Sequence, residues 1–247
     1  MQQYSHDLLD LYLYYNHLSS TMSKAQELLE KPDIKGIFLV LAAKQRLGEG
    51  RNGNVWYSPA GGLWFTLALC GFRFSSNFTL FLGVQIHKAI RSCFPELEDH
   101  ALSLKWPNDL YLNDKKLAGI IVKHVPQKQY YLCGIGINTD ITEFPQELRD
   151  IAISLHDYNK VENVQILTVI LDNIKDNLPE YLIENQFSRE YYFKHDYLVH
   201  KQITISTEFS QFEGIYQGVN KDGALLLKLE TGAIQPFYAG TVNISKT

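Results

Sequence analysis

Apolar residues in this chain gather into short runs separated by glycine, proline and polar clusters, and near the amino terminus none is longer than the seven residues from Ile37 to Ala43. A membrane-crossing helix needs about 20 such residues. Short buried runs interleaved with helical segments instead constrain the chain to layers of sheet and helix around a core. Leu11 to Tyr15, Ile37 to Ala43, Leu63 to Leu69, Leu102 to Leu104 and Tyr130 to Asn138 read as strands. Ser19-Ser20-Thr21 precedes the helix formers Lys24 to Glu30, with Pro32 beyond the stop, so a capped helix is expected there. Asn77 is expected to cap a helix from Phe78 to Cys93, with Phe81, Val84 and Ala89 on one face, and Asn163 to cap another through Ile166, Val169, Ile170 and Ile174. Leu110 to Ile121 reads as a hairpin turning at Asn113-Asp114. After Tyr197 the texture changes to five short β-rich runs: Ile203 to Ser206, Phe212 to Val219, Ala224 to Leu229, Ile234 to Tyr238 and Val242 to Ile244. That spacing predicts a small closed barrel and divides the chain into 1–197 and 198–247.

Composition narrows the function classes. Charged residues make up 20% and the formal net charge is −4, whereas nucleic-acid-binding domains usually carry a basic surplus. Cys70, Cys93 and Cys133 are odd in number and widely spaced, which gives no disulfide or zinc framework and suits a reducing, cytoplasmic compartment. The start, Met1 to Asp7, has neither the basic residues nor the apolar core of a signal peptide. The eight histidines form no H-E-x-x-H, and no G-x-S-x-G elbow occurs, so catalytic zinc and a serine hydrolase are poorly supported.

Two segments carry chemistry. Gly48-Glu49-Gly50-Arg51-Asn52-Gly53 satisfies G-x-G-x-x-G, but Trp56, Tyr57 and Pro59 follow where a dinucleotide fold opens a helix, and no acid stands about 20 residues on. Asn54-Val55 replaces the lysine and hydroxyl of a P-loop. A mobile loop over an anion, with Arg51 as cation, and a plain surface loop both stay open. Lys105-Trp106-Pro107-Asn108-Asp109 packs a cation, two amide or carboxylate side chains and a turn-forming proline at a strand end, which fits either a structural turn or a site. The hairpin would return Lys116 towards Asp109.

Taken together, Gln45 to Arg51 with Trp56-Tyr57-Ser58-Pro59, the Lys105 to Asp109 segment and Lys116-Leu117-Ala118-Gly119-Ile120 resemble the biotin–protein ligase family. Ser20-Thr21, Gly134-Ile135-Gly136-Ile137-Asn138 and Asp222-Gly223-Ala224-Leu225-Leu226-Leu227 extend the resemblance over nearly the whole chain. It implies an α+β fold: a catalytic domain built on a mixed β-sheet with flanking helices, plus a small SH3-like β-barrel. With only 19 residues before Ser20, the DNA-binding module of some members is not expected, nor is DNA as a partner. Biotin and ATP would be the substrates, with Mg2+ carried by the ATP phosphates and no dedicated protein metal site. A biotin carboxyl carrier domain would be the acceptor. The family includes monomers and homodimers, and nothing in the sequence decides between them.

The resemblance also assigns roles. Ser20, Thr21, Gln45, Glu49, Gly50, Gly119, Gly134 and Gly136 would line the biotin slot. Arg51 and Lys116 would engage carboxylate and phosphate, Lys105 the phosphates, Trp56 the nucleotide, and Asn108 and Asn138 the adenine edge. Asp109 would orient or deprotonate the incoming lysine. A lipoate–protein ligase, a non-catalytic sensor of biotin or its adenylate, and a protein-interaction module are the alternatives. Two departures stand out. Glu49 and Asn54 replace arginines of the family loop, and Met22 stands where many members carry asparagine.

Overall fold

The computed structural model describes residues 4–97 and 102–245, so Met1 to Gln3 of the amino-terminal reading lie outside it. The elements run β1 (Leu11–Leu18), α1 (Thr21–Leu28), β2 (Phe38–Gln45), β3 (Gly48–Glu49), β4 (Val55–Trp56), β5 (Leu63–Cys70), α2 (Phe78–Cys93), β6 (Leu102–Lys105), β7 (Asp109–Leu112), β8 (Lys115–Val125) and β9 (Tyr130–Ile137). Then follow α3 (Asn163–Glu184), α4 (Arg189–Lys194), β10 (Gln202–Ser206), β11 (Gln211–Val219), β12 (Leu225–Lys228), β13 (Ile234–Phe237) and β14 (Thr241–Ile244). A 3-10 turn, Arg51–Gly53, joins β3 to β4. No helix among the described residues is long and apolar enough to cross a membrane.

Seven strands form one mixed sheet in the order β1-β2-β5-β9-β8-β7-β6, with β1 and β2 parallel and every other pair antiparallel. Side chains alternate faces along a strand, so each face can be read from the register. Leu63, Phe65, Leu67 and Leu69 of β5 join Cys133, Ile135 and Ile137 of β9 in the core beneath α2 and α3. The opposite face holds Ala68, Val40 and Leu132 against Met22, Ala25 and Leu28 of α1. One lateral row on that second face runs Lys105, Asp109, Gly119, Gly136, Trp64. Its glycines leave the sheet bare there, which makes room for a cavity.

The α1 cap is as expected: Ser20 Oγ accepts from the Met22 and Ser23 backbone N–H groups. The other two predicted caps are corrected. Asn77 occupies the cap position of α2 without a capping bond; its side chain instead accepts from Ser75 and Tyr181 and donates to the carbonyls of Asn185 and Lys221. Asn163 is the first residue of α3, Glu162 being the cap in a capping box with Gln165, and the Asn163 amide reaches the Gly61 and Gly62 carbonyls. In both places tertiary partners claim the asparagine side chain, a choice that spacing cannot reveal.

The carboxyl-terminal strands form the expected SH3-like unit, an antiparallel sheet ordered β13-β12-β11-β10-β14. Several hydrogen bonds fasten it to the rest of the chain. Trp106 Nε1 donates to the Gly223 carbonyl at 2.9 Å, while Ser76 and Asn77 bind the carbonyls of Asp222 and Lys221. Tyr216 of β11 donates to the Asp196 carboxylate, and Asp196 bridges to Leu104 of β6.

Beside this junction His87 is fully buried, with Nε2 against the Leu102 carbonyl at 3.1 Å and Nδ1 against the Tyr191 hydroxyl at 2.9 Å. Burial drives its pKa down to about 3. The folded pKa lies below the unfolded value of about 6.5, so the unfolded chain binds more protons between these limits and stability is lost as the pH is lowered across that window. Burial raises Asp196 to about 6, which acts in the opposite sense below that pH. A His87→Gln variant is therefore expected to shift the slope of unfolding free energy between pH 4 and 6 by about 1.4 kcal/mol per pH unit relative to the parent, in favour of acid stability. Urea unfolding at several pH values measures this, and parallel pH profiles would show that His87 does not carry the effect.

Candidate active site

The bare row of the sheet is roofed by the β3–β4 hairpin and walled by α1 and by the turn before β14. Together they enclose a cavity of about 340 Å³, within the range of small-molecule sites. Ser20, Thr21, Gln45, Glu49, Gly50, Arg51, Trp56, Lys105, Asn108, Asp109, Lys116, Gly119, Gly134 and Gly136 all line it. Of the residues singled out from sequence, only Asn138 lies elsewhere, in a smaller neighbouring cavity with Val55, Trp56, Lys116, Phe144 and Ile151.

Lys116 reaches the cavity because of a backbone irregularity. Asp109 pairs with Gly119 and Leu110 with Ala118, but Tyr111 pairs with Lys116, so β8 carries one extra residue. Strict alternation would place Lys116 with Ala118 and Ile120 on the core face. The bulge turns Leu117 into the core and Lys116 towards the cavity, a common use of bulges beside functional sites. The turn that sets this hairpin has both Asn113 and Asp114 at positive φ, 49° and 63°, which these residues tolerate better than most. Lys116 Nζ then lies 2.8 Å from Asp109 Oδ1 and 5.1 Å from the Trp56 ring centre.

Arg51 approaches from the roof. Its Nη1 donates to Asn108 Oδ1 at 3.0 Å and its Nη2 to the Gly240 carbonyl at 3.3 Å. Burial lowers its pKa, with Asp109 opposing the shift, and a guanidinium stays charged regardless. Lys105 is held by the Tyr111 hydroxyl at 3.0 Å, with the Tyr111 ring 4.5 Å and the Tyr197 ring 5.8 Å away. Burial pulls its ammonium below the usual lysine range; Asp109 opposes this, while Lys116 and Lys201 add to it. Three cations thus surround one carboxylate, an arrangement suited to drawing in anionic groups.

At the other end the floor is a chain of neutral polar groups. Thr66 Oγ1 donates to Thr21 Oγ1 at 2.9 Å, and the Thr21 N–H donates to Gln45 Oε1 at 2.7 Å. Gln45 Nε2 donates to Ser58, whose hydroxyl donates to the Trp56 carbonyl. Met22 packs under Gly134, where an added Cβ would stand 2.8 Å from its Cε. Trp56 lies across Gly119 and Gly136, and a Cβ on Gly136 would stand 2.7 Å from its indole nitrogen. Both glycines are needed for this approach, and the indole becomes the partition between the two cavities.

The two asparagines are largely committed. Asn108 spends its carbonyl on Arg51 and its amide on Ile120. Asn138 is buried and gives its amide to the Ile153 and Lys116 carbonyls. Sequence reasoning missed Thr66, Ser58, Tyr111 and the Gly240–Asn243 wall. Thr66 had a signal, as the lone polar residue inside the run Leu63 to Leu69. Gly240 had none, since its place depends on how the carboxyl-terminal sheet docks.

Comparisons with known proteins identify the family. Residues 14–140 match the model of the biotin/lipoate A/B protein ligase family, and residues 201–244 match the biotin protein ligase C-terminal domain. The chain is 29% identical over 244 residues to the bifunctional ligase/repressor BirA of Bacillus subtilis, covering 94% of this chain and 73% of that one. A biotin–[acetyl-CoA-carboxylase] ligase of Paracoccus denitrificans is 33% identical over 123 residues, 47% of this chain and 50% of that one. Among solved structures, a biotin protein ligase from Aquifex aeolicus in complex with biotin and ATP superposes with a TM-score of 0.81 at 25% identity, covering 97% of this chain and all of that one.

Proposed function

Because this chain belongs to the biotin/lipoate A/B protein ligase family, we propose that its cavity joins biotin to ATP as biotinyl-5′-AMP and passes the biotinyl group to one lysine of a carrier domain. The chain is a ligase, and the biotin branch of the family is supported by the match at its carboxyl terminus and by relatives named for that activity.

The observation that carries the reading is the convergence of Arg51, from the β3–β4 hairpin, and Lys116, from β8, on one cavity. A carboxylate is a poor acyl donor, so the acid must first be activated. Its oxygen attacks the α-phosphorus of ATP and pyrophosphate leaves. Two anions repel as they approach, and fixed cations lower that barrier most where charge develops. The neutral chain from Thr66 to Ser58 suits the polar, uncharged ureido head of biotin. The apolar side cavity beyond Trp56 suits the base, with the Asn138 carbonyl oxygen left to meet its edge. In the second step the acceptor amine attacks the mixed anhydride and AMP leaves, with Asp109 placed to receive the amine's proton. The division of roles places catalysis in residues 1–197, with 198–247 closing the cavity through Gly240 and Thr241. A cytoplasmic location accords with three free cysteines.

One assay tests this. The protein is incubated with biotin, ATP, Mg2+ and a biotin carboxyl carrier domain, and the carrier is weighed by mass spectrometry. The expected product is the carrier with one added biotinyl group. An unchanged carrier, with lipoate attached in its place when lipoate is supplied, would overturn the biotin assignment.

A further inference from the structure

The glycine-rich loop crosses the cavity as a strap tied at both ends, and the two ties differ in kind. At one end Glu49 Oε1 accepts from Ser23 Oγ at 2.7 Å and from Ser20 Oγ at 3.0 Å, while Lys123 Nζ lies 3.4 Å from Oε2. Burial pushes the carboxyl up, but the bonds from Ser23 and Ser20 and the charge of Lys123 outweigh it, so the group stays ionised below the usual range. It also lies at the amino terminus of α1, where negative charge is favoured. The Ser20 hydroxyl is saturated by this arrangement. It gives its one proton to Glu49 and accepts from two backbone N–H groups. At the other end Arg51 holds only neutral carbonyl oxygens, those of Asn108 and Gly240.

We infer that Glu49 is a positioning residue: it pins one end of the loop to α1 and β8, and leaves the Arg51 end to exchange its carbonyl partners for an anionic ligand. The inference deepens the reading of this cavity as a site for biotin and ATP. Ser23 and Lys123 stand outside the cavity lining, so a ligand need not displace them. Arg51 gains by exchange, because charge-assisted bonds to a carboxylate or phosphate are roughly twice as strong as those to neutral acceptors. Gly50, between the two ties, bonds back to the Asn54 carbonyl at 2.8 Å, and a Cβ there would sit 3.0 Å from that oxygen. The loop is thereby kept tight rather than slack. The acid at position 49, which reduces the positive charge of the strap, stands at the rim of the cavity with its carboxylate engaged by Ser20, Ser23 and Lys123.

The test is a double-mutant cycle on the full chain with Glu49→Gln, Lys123→Met and both together. Amide hydrogen exchange of residues 48–54 in the ligand-free protein is expected to quicken about tenfold in Glu49→Gln, as charged hydrogen bonds are lost. The double variant should match Glu49→Gln, because both changes cut one tie. With biotin and ATP, KM for biotin should rise by more than kcat falls, a split that general loosening of the fold would not give. Unchanged loop exchange in Glu49→Gln, or strictly additive effects in the cycle, would overturn the inference. The exchange readout needs no turnover, so a parent protein that forms no adenylate defeats the ligase reading while the exchange result still decides the role of Glu49.

Discussion

Lys116→Ala is expected to lower the rate of pyrophosphate release from biotin and ATP by roughly 10²- to 10³-fold, the loss that follows removal of one preorganised donor from a developing charge. Lys116 meets the conditions for so large an effect. It is a third exposed, close enough to solvent to receive a ligand, and its ammonium is held in place by Asp109 at 2.8 Å and the Trp56 ring. The alanine variant should fold, since the bulge that orients position 116 is set by backbone pairing and by the buried Leu117. Lys115 is the matched control. It adjoins Lys116 in sequence, but its ammonium binds the Arg149 carbonyl on the surface, outside the cavity. Lys115→Ala should keep the parent rate. Near-parental pyrophosphate release by Lys116→Ala at saturating substrates would remove the lysine from the activation step.

This residue also shows how far the sequence could be read. The hairpin and its turn at Asn113-Asp114 were legible, because turn chemistry is local. Alternation alone would have sent Lys116 to the core face, and the extra residue in β8 has no sequence mark. Glycines 119, 134 and 136 stood out as glycines, but only the register shows that they lie on one face and yield space to Trp56 and Met22. Glu49 illustrates a different limit. Its charge suggested a weaker grip on anions, and sequence spacing gave no hint of Ser23 and Lys123 as partners, since those contacts span 26 and 74 residues. Some elements with their own periodicity were recovered closely, α2 from Phe78 to Cys93 among them, but β1 runs on past Tyr15 to Leu18, α3 past Ile174 to Glu184, and α4 was not foreseen. What stayed hidden was set by long-range pairing, above all the docking of the 221–223 turn on Trp106 and Asn77 that brings Gly240 over the cavity.

Asp109→Asn is expected to separate the two half-reactions, slowing biotinyl transfer about 10²-fold or more, the usual contribution of a positioned general base, while adenylate formation falls far less. The substitution preserves shape and removes one negative charge from among Arg51, Lys105 and Lys116. Attraction of carboxylate and phosphate does not need that charge; without it the three cations pull on incoming anions at least as strongly. The acceptor amine has the opposite requirement. A lysine arrives largely as ammonium at neutral pH and must lose a proton before it can attack, and an amide accepts none. Asp109 is moreover the one carboxylate opposing the downward shift of the Lys105 pKa, so the variant should lower that pKa further. Single-turnover transfer from preformed adenylate, set beside pyrophosphate release, separates the steps. Transfer by the variant should recover as pH rises, because solution then supplies the free amine that Asp109 otherwise generates. Equal losses in both half-reactions, or a transfer defect indifferent to pH, would mean that Asp109 serves only to hold Lys116 in place.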